Sequence, residues 1–165
     1  MAAKTTPQRT RLTREHIIAE TLFLLDIQGV VGFRLRDLAK ALGVTIPNLY
    51  RYFDNRDDLI YSALESDYIA MCREDLAGIR ELETNLSSLD DLKASLRLSS
   101  GFGDNSAVQR RRITRLQALA TIHQHTPSPE LLTLISDIND ALESLFSRAQ
   151  HQDLVTTSHS CLLYT

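Results

Sequence analysis

Residues 35–53 read LRDLAKALGVTIPNLYRYF. Leu35, Leu38, Ala39 and Leu42 follow the i, i+3, i+4, i+7 spacing that puts apolar side chains on one helical face. Gly43 then ends the helix, because a tight exit needs the left-handed backbone that a Cβ would strain. A second helix is predicted to follow at once, with Thr45 as cap and Pro47 in the first turn, where a missing N–H costs little. The residue before proline resists helical geometry, so the start is defined to within one residue. Ala39 is small where the two helices approach, and Leu38, Val44, Leu49 and Phe53 supply the contacts that lock them. Two short helices joined by a glycine turn form a helix-turn-helix, a motif whose second helix enters the major groove of DNA while the first crosses the backbone.

Outward from this pair, the preceding helix is predicted from Thr13, whose hydroxyl caps the opening turn, to Gln28 before Gly29, with Ile18, Leu22 and Leu25 on one face. Downstream, Asn55 followed three residues later by Asp58 resembles a capping box. It opens a long fourth helix, carried by apolar positions from Leu59 to Cys72 toward about residue 82. Further helices are predicted at Leu89–Leu98, Ala107–His123 and Pro129–Gln150, with SSGFGDNS and HTPSP as loops. No period-two alternation persists anywhere, and no internal repeat is present. The expected fold is all-α: an N-terminal three-helix domain at residues 11–71, its helix-turn-helix at about 34–53, joined by the fourth helix to an antiparallel helical body at 72–165.

The chain has 165 residues, 43% hydrophobic and 24% charged, within the range of a globular protein that buries a core. Its net charge of -3 is unevenly divided. Residues 1–56 carry 9 Lys/Arg against 5 Asp/Glu, and the remainder carries 9 against 16. A basic end on an acidic body suggests that the basic end faces a polyanion, although chance unevenness also accounts for an excess of this size. Cys72 and Cys161 are far apart and form no disulfide framework or CxxC motif, which fits a reducing compartment. The polar start and the acids Glu20 and Asp26 argue against a signal peptide or a membrane span, so a cytoplasmic location is expected.

The string GVVGFRLRDLAKALGVTIPNLYRYFDNRDDLI, residues 29–60, resembles the tetracycline-repressor (TetR) family, with RDLAKALGV, NLYRYF and NRDDL at family spacing. The resemblance covers roughly residues 12–65. It implies a transcriptional repressor that binds a palindromic operator on double-stranded DNA as a homodimer and is released by a small-molecule effector, with no cofactor and no enzymatic activity. The recognition helix then corresponds to Thr45–Tyr52, with Thr45, Ile46, Pro47, Asn48 and Arg51 nearest the bases. The chemistry agrees: Asn pairs with adenine, Arg with guanine, and Thr, Ile or Pro packs on a thymine methyl. Tyr50 and Arg56 match phosphate-contacting positions, which orient a protein without specifying sequence. Arg36 matches a position where some members touch a base, and Arg9, Arg11 and Arg14 are candidates for further phosphate or minor-groove contacts. Arg34 departs from the family, which usually has a capping threonine there; its cation faces the positive end of a helix.

Other readings compete at several positions. The three-helix cluster also suits a packing module, and Tyr50, Tyr52 and Phe53 also suit a core; that role falls best to Phe53. Arg110, Arg111, Arg112 and Arg115 resemble a nucleic-acid patch but lie in the acidic half, where a solvated helix face is the simpler account. The scattered histidines and cysteines have no zinc spacing. By resemblance, the later helices supply an apolar ligand pocket and a dimer interface; Tyr68, Met71, Cys72, Phe102 and Leu119 are the pocket candidates. LFSRAQHQDL resembles the end of the family's seventh helix, so the chain is expected to stop short of the two helices that normally follow. Leu131, Leu134, Ile138, Leu142 and Leu145 would then form a face awaiting a partner helix. The alternative function is a shortened interaction module that pairs with a full-length relative and does not itself bind DNA.

Overall fold

The computed structural model describes residues 12–93, 107–120, 122 and 125–155, with the backbone alone for 107–110. They form an all-α fold with six principal helices: α1 (Arg14–Gly32), α2 (Leu35–Ala41), α3 (Ile46–Leu49), α4 (Arg56–Asn85), α5 (Ala107–Ala120) and α6 (Pro129–His151). A helical turn at 89–93 opens on Ser88, whose hydroxyl accepts from the Asp91 N–H. The rest of the predicted 89–98 helix lies outside the described residues, as do Arg9, Arg11, Phe102, His123 and Cys161. Two compact units divide the chain, Met1–Ala63 and Leu64–Thr165, and α4 begins in the first and ends in the second.

In the first unit, α1 starts where Thr13 accepts a hydrogen bond from the His16 N–H at 3.2 Å. Its regular run ends at Gly29, which takes φ 68°, ψ 170°. One further turn brings Phe33 inward, to 2% exposure. α2 packs against α1 and α3. Ile17, Leu24, Leu38, Leu49, Phe53, Leu59 and Ile60 are buried in this unit. Phe53 is thus a core aromatic, while Tyr50 and Tyr52 remain 47% and 39% exposed.

The second unit closes on a different core. Leu76, Ile79, Leu86 and Leu92 pack with Ala141, Leu145 and Ala149 of α6, and Leu134, Ile138 and Leu142 lie partly buried against them. This corrects the expectation of an open α6 face: the stripe predicted to await a partner helix is covered by the chain's own α4 and the segment after it. Ser128 caps α6 by accepting from the Leu131 N–H. Two arginines of the run are likewise drawn into the unit, since Arg112 pairs with Glu74 at 2.7 Å and Arg115 with Asp67 at 2.5 Å, tying α5 to α4.

Candidate nucleic-acid interface

The exit from α2 sets the angle of the helix pair. Gly43 sits at φ 65°; its N–H donates to the Lys40 carbonyl and the Val44 N–H to the Ala39 carbonyl. These two bonds are a Schellman closure, which satisfies carbonyls that a helix end otherwise leaves open. Thr45 then occupies the cap position of α3, but its side chain makes no capping bond. Its hydroxyl instead donates to Asn48 Oδ1, a side-chain pair on the outer edge of the element. α3 covers only Ile46–Leu49, after which residues 50–52 continue as turns, so the element is shorter than the predicted Thr45–Tyr52 helix.

Leu49 is buried and anchors this element, while Thr45, Pro47, Tyr50 and Arg51 are exposed and Ile46 and Asn48 partly so. Arg36 and Lys40 are exposed on α2. Between Leu38 and Phe53 there are two cations and no carboxylate. The structure thus places Ile46, Pro47 and Asn48 on α3, with Thr45 at its cap and Tyr50 and Arg51 in the turn that follows. Arg34 makes no side-chain cap to α2, as its chemistry predicted.

Three side chains here have roles the sequence reading missed. Arg56 Nη2 donates to the carbonyls of Val30, at 2.6 Å, and Phe33, at 3.2 Å, while Nη1 faces Asp57 at 3.1 Å. Its guanidinium also lies 5.8 Å from the Phe33 ring centroid. Arg56 therefore closes the carbonyl end of α1 across the fold. Arg14 bonds to the Ser62 hydroxyl at 2.9 Å and lies 4.9 Å from the Phe53 ring centroid, so it is held by the domain. The Tyr52 hydroxyl donates to the Leu12 carbonyl at 2.9 Å. At the start of α4, Asn55 Oδ1 accepts from the Asp58 N–H as expected, but the Asp58 carboxylate accepts from Asp54 N–H, one residue before the predicted box partner. Only long-range geometry reveals the Arg56 and Tyr52 bonds; no local spacing announces them.

In the second unit, Leu64, Asp67, Tyr68, Met71, Arg112, Arg115, Leu116 and Leu119 line a recess, which gathers three of the five pocket candidates. Cys72 is buried but does not line it, and Phe102 is not among the described residues. The recess holds about 10 Å³, room for a single water molecule. Burial pushes the Tyr68 phenol, the Cys72 thiol and the Asp75 carboxyl above their ordinary pKa values; Arg112 partly opposes the shift at Asp75.

Residues 17–63 match the family described as bacterial regulatory proteins, tetR family. The HTH-type transcriptional regulator AcrR of Shigella flexneri is 40% identical over 57 residues, 34% of this chain and 26% of that protein. The chain thus spans about a quarter of the length of that relative. Among solved structures, one described as a TetR-family transcriptional regulator from Mesorhizobium loti aligns with TM-score 0.62 at 15% identity, covering 88% of this chain and 72% of the other. The regulatory protein SCO4313 aligns with TM-score 0.55 at 20% identity, covering 92% and 73%. At these identities the two structural likenesses speak to the fold, while the sequence match over residues 17–63 speaks to descent. Residues 17–63 thus match the N-terminal domain of the tetR family of bacterial regulatory proteins.

Proposed function

We propose that this chain is a DNA-binding transcriptional repressor that reads a palindromic operator through α3 and leaves it when a small molecule binds the second unit. The observation that carries the DNA reading is the surface of α2 and α3: Lys40, Thr45, Asn48, Tyr50 and Arg51 on one acid-free stretch anchored by buried Leu49, with Arg36 exposed one turn before it. Asn48 and Arg51 have the donor and acceptor patterns for adenine and guanine edges. The Thr45 hydroxyl, by holding Asn48 Oδ1, limits the rotation of that amide before any base arrives. Tyr50, Arg36 and Arg56 Nη1 are proposed to meet phosphates.

A homodimer belongs to the proposal, because two recognition elements about 34 Å apart, one turn of DNA, join two weak half-site contacts into one usable affinity. A ligand must bind the two states of the protein unequally to shift them. The water-sized recess beside Tyr68, Met71 and Leu119 must widen to admit one, since ligand sites usually measure about 300 Å³ or more. α4 is the element through which such widening acts, as it lines the recess and begins at Arg56.

Selection of bound duplexes from a random pool tests the proposal. The expected result is an inverted repeat, bound with an affinity that falls steeply with salt. Asn48→Ala is expected to relax preference at one position of each half-site, at about 1–3 kcal/mol per site. Equal weakening on every duplex would remove Asn48 from base readout. A chain that shows no salt-sensitive attraction to any duplex, but pairs with a longer homologue, would favour the interaction-module reading.

A further inference from the structure

Thr45 and Asn48 are joined twice. The Asn48 N–H donates to the Thr45 carbonyl at 3.0 Å, and the Thr45 hydroxyl donates to Asn48 Oδ1. The second bond is not a helix cap, since the Thr45 side chain makes no capping bond to α3. Its single hydroxyl proton is committed to the neighbouring amide instead. An asparagine amide has two unlike ends, Oδ1 that only accepts and Nδ2 that only donates. Holding Oδ1 toward Thr45 directs the other end of the planar amide away from it. No described residue accepts from Nδ2, so this donor is the end that the pair presents.

We infer that Thr45 is a positioning residue that sets Asn48 as a donor, so that the pair selects a keto edge in the major groove, guanine O6 or thymine O4, over the amino edges of adenine and cytosine. The inference rests on the DNA reading above and names the class of base that Asn48 takes within it. An unrestrained asparagine reads adenine with both ends at once, Oδ1 accepting from N6–H and Nδ2 donating to N7. That pairing needs Oδ1 and Nδ2 side by side against the base. Here one of the two lone-pair sites of Oδ1 is taken, and the oxygen is turned toward the start of α3. An adenine or cytosine amino group would then meet the Nδ2 donor, and a donor facing a donor loses its hydrogen bond to water without gaining another. Guanine sets two acceptors, O6 and N7, on the same edge, and thymine sets O4. Thr45 thus acts on the sequence choice through Asn48, and its own contact with a base is confined to its methyl group.

Selection of bound duplexes with the natural chain, Asn48→Ala, Thr45→Val and Thr45→Ser tests this, followed by titration of duplexes that differ at one base pair. The position that Asn48→Ala relaxes is the one that Asn48 reads. There the natural chain is expected to prefer guanine or thymine to adenine by roughly 5- to 50-fold. Thr45→Val keeps the shape, removes the hydroxyl and costs no cap. It is expected to erase that preference, because the released amide can meet adenine with both ends, and to leave the base order at other positions unchanged. Thr45→Ser keeps the hydroxyl and should restore the natural order. A general structural role for Thr45 would instead weaken every duplex alike. Selection of adenine or cytosine by the natural chain at this position overturns the inference, as does a base order that Thr45→Val leaves unchanged; both leave the DNA reading standing. If Asn48→Ala relaxes no position, Asn48 reads no base and the inference falls with that role. A natural chain that binds no duplex overturns the DNA reading as well.

Discussion

Arg56 resembles a phosphate-binding position in sequence, yet its guanidinium is spent largely on the Val30 and Phe33 carbonyls. Hydrogen bonds from a charged donor contribute about 1.5–3 kcal/mol each when partly shielded. Arg56→Ala is therefore expected to lower unfolding free energy by about 2 kcal/mol in a urea titration, in addition to any loss of DNA affinity. Arg56→Lys should recover less than half of this, because one ammonium does not reproduce the planar fork that spans both carbonyls. If Arg56→Ala leaves the urea midpoint unchanged, the α1 closure contributes nothing. Arg34 is the opposite case, legible from sequence alone. It sits at the cap position of α2 with extended backbone, φ -128° and ψ 129°, and makes no cap. Arg34→Ser should stabilise the fold by about 1 kcal/mol by supplying the missing acceptor. The same change should make DNA binding less salt-dependent if Arg34 meets a phosphate. The contrast is physical: a cap acts within three residues and is readable from spacing, whereas Arg56 reaches 26 positions back along the chain.

Helix ends follow the same division between local and distant causes. Thr13, Gly43, Asn55 and Ser128 lie at helix starts and stops because each acts within its own turn. The length of α3 was not legible, since NLYRYF has no stop signal and the turn at residues 50–52 depends on Phe53 entering the core. Two glycines separate space from conformation. A Cβ at Gly29 or Gly43 would meet nothing within 4 Å. Any cost of Ala there comes from the backbone. Gly43 lies in the left-handed helical region, where Ala costs roughly 1–2 kcal/mol. Gly29, at φ 68° and ψ 170°, lies in a region essentially reserved for glycine, at the upper end of roughly 1–3 kcal/mol. Thermal melts should rank Gly29→Ala as the more damaging. α6 ends in the same closure as α2: Asp153 N–H donates to the Gln150 carbonyl and Leu154 N–H to the Ala149 carbonyl. Asp153 takes φ 56°, so Asp153→Gly should raise stability by up to about 1 kcal/mol, with Leu154 still packed on the core.

The basic end and the acidic body of this molecule meet different physical demands. In the first unit, cations are displayed near α2 and α3; in the second, arginines of α5 are drawn onto the acids of α4. That pairing was not legible, because a run of arginines in an acidic half looks the same whether it faces solvent or a neighbouring helix. It leaves Asp75 as the carboxylate under strain. Burial raises its pKa above the ordinary 3.8, Glu74 adds to the shift, and Arg112 only partly offsets it. A group whose pKa is higher in the folded state binds its proton more tightly there, so protonation favours folding. Its contribution is fully present below 3.8 and is lost as pH rises through the folded value, leaving a penalty at neutral pH. Glu15 and Asp91 run the other way: hydrogen bonds lower their pKa values, and their contribution is lost as pH falls. Asp75→Asn should thus raise the melting temperature at pH 7, with a gain that shrinks as the pH approaches the ordinary aspartate range. A gain that is constant with pH would mean that the charge of Asp75 is not what opposes folding, and a loss at pH 7 would mean that its attraction to Arg112 outweighs its burial.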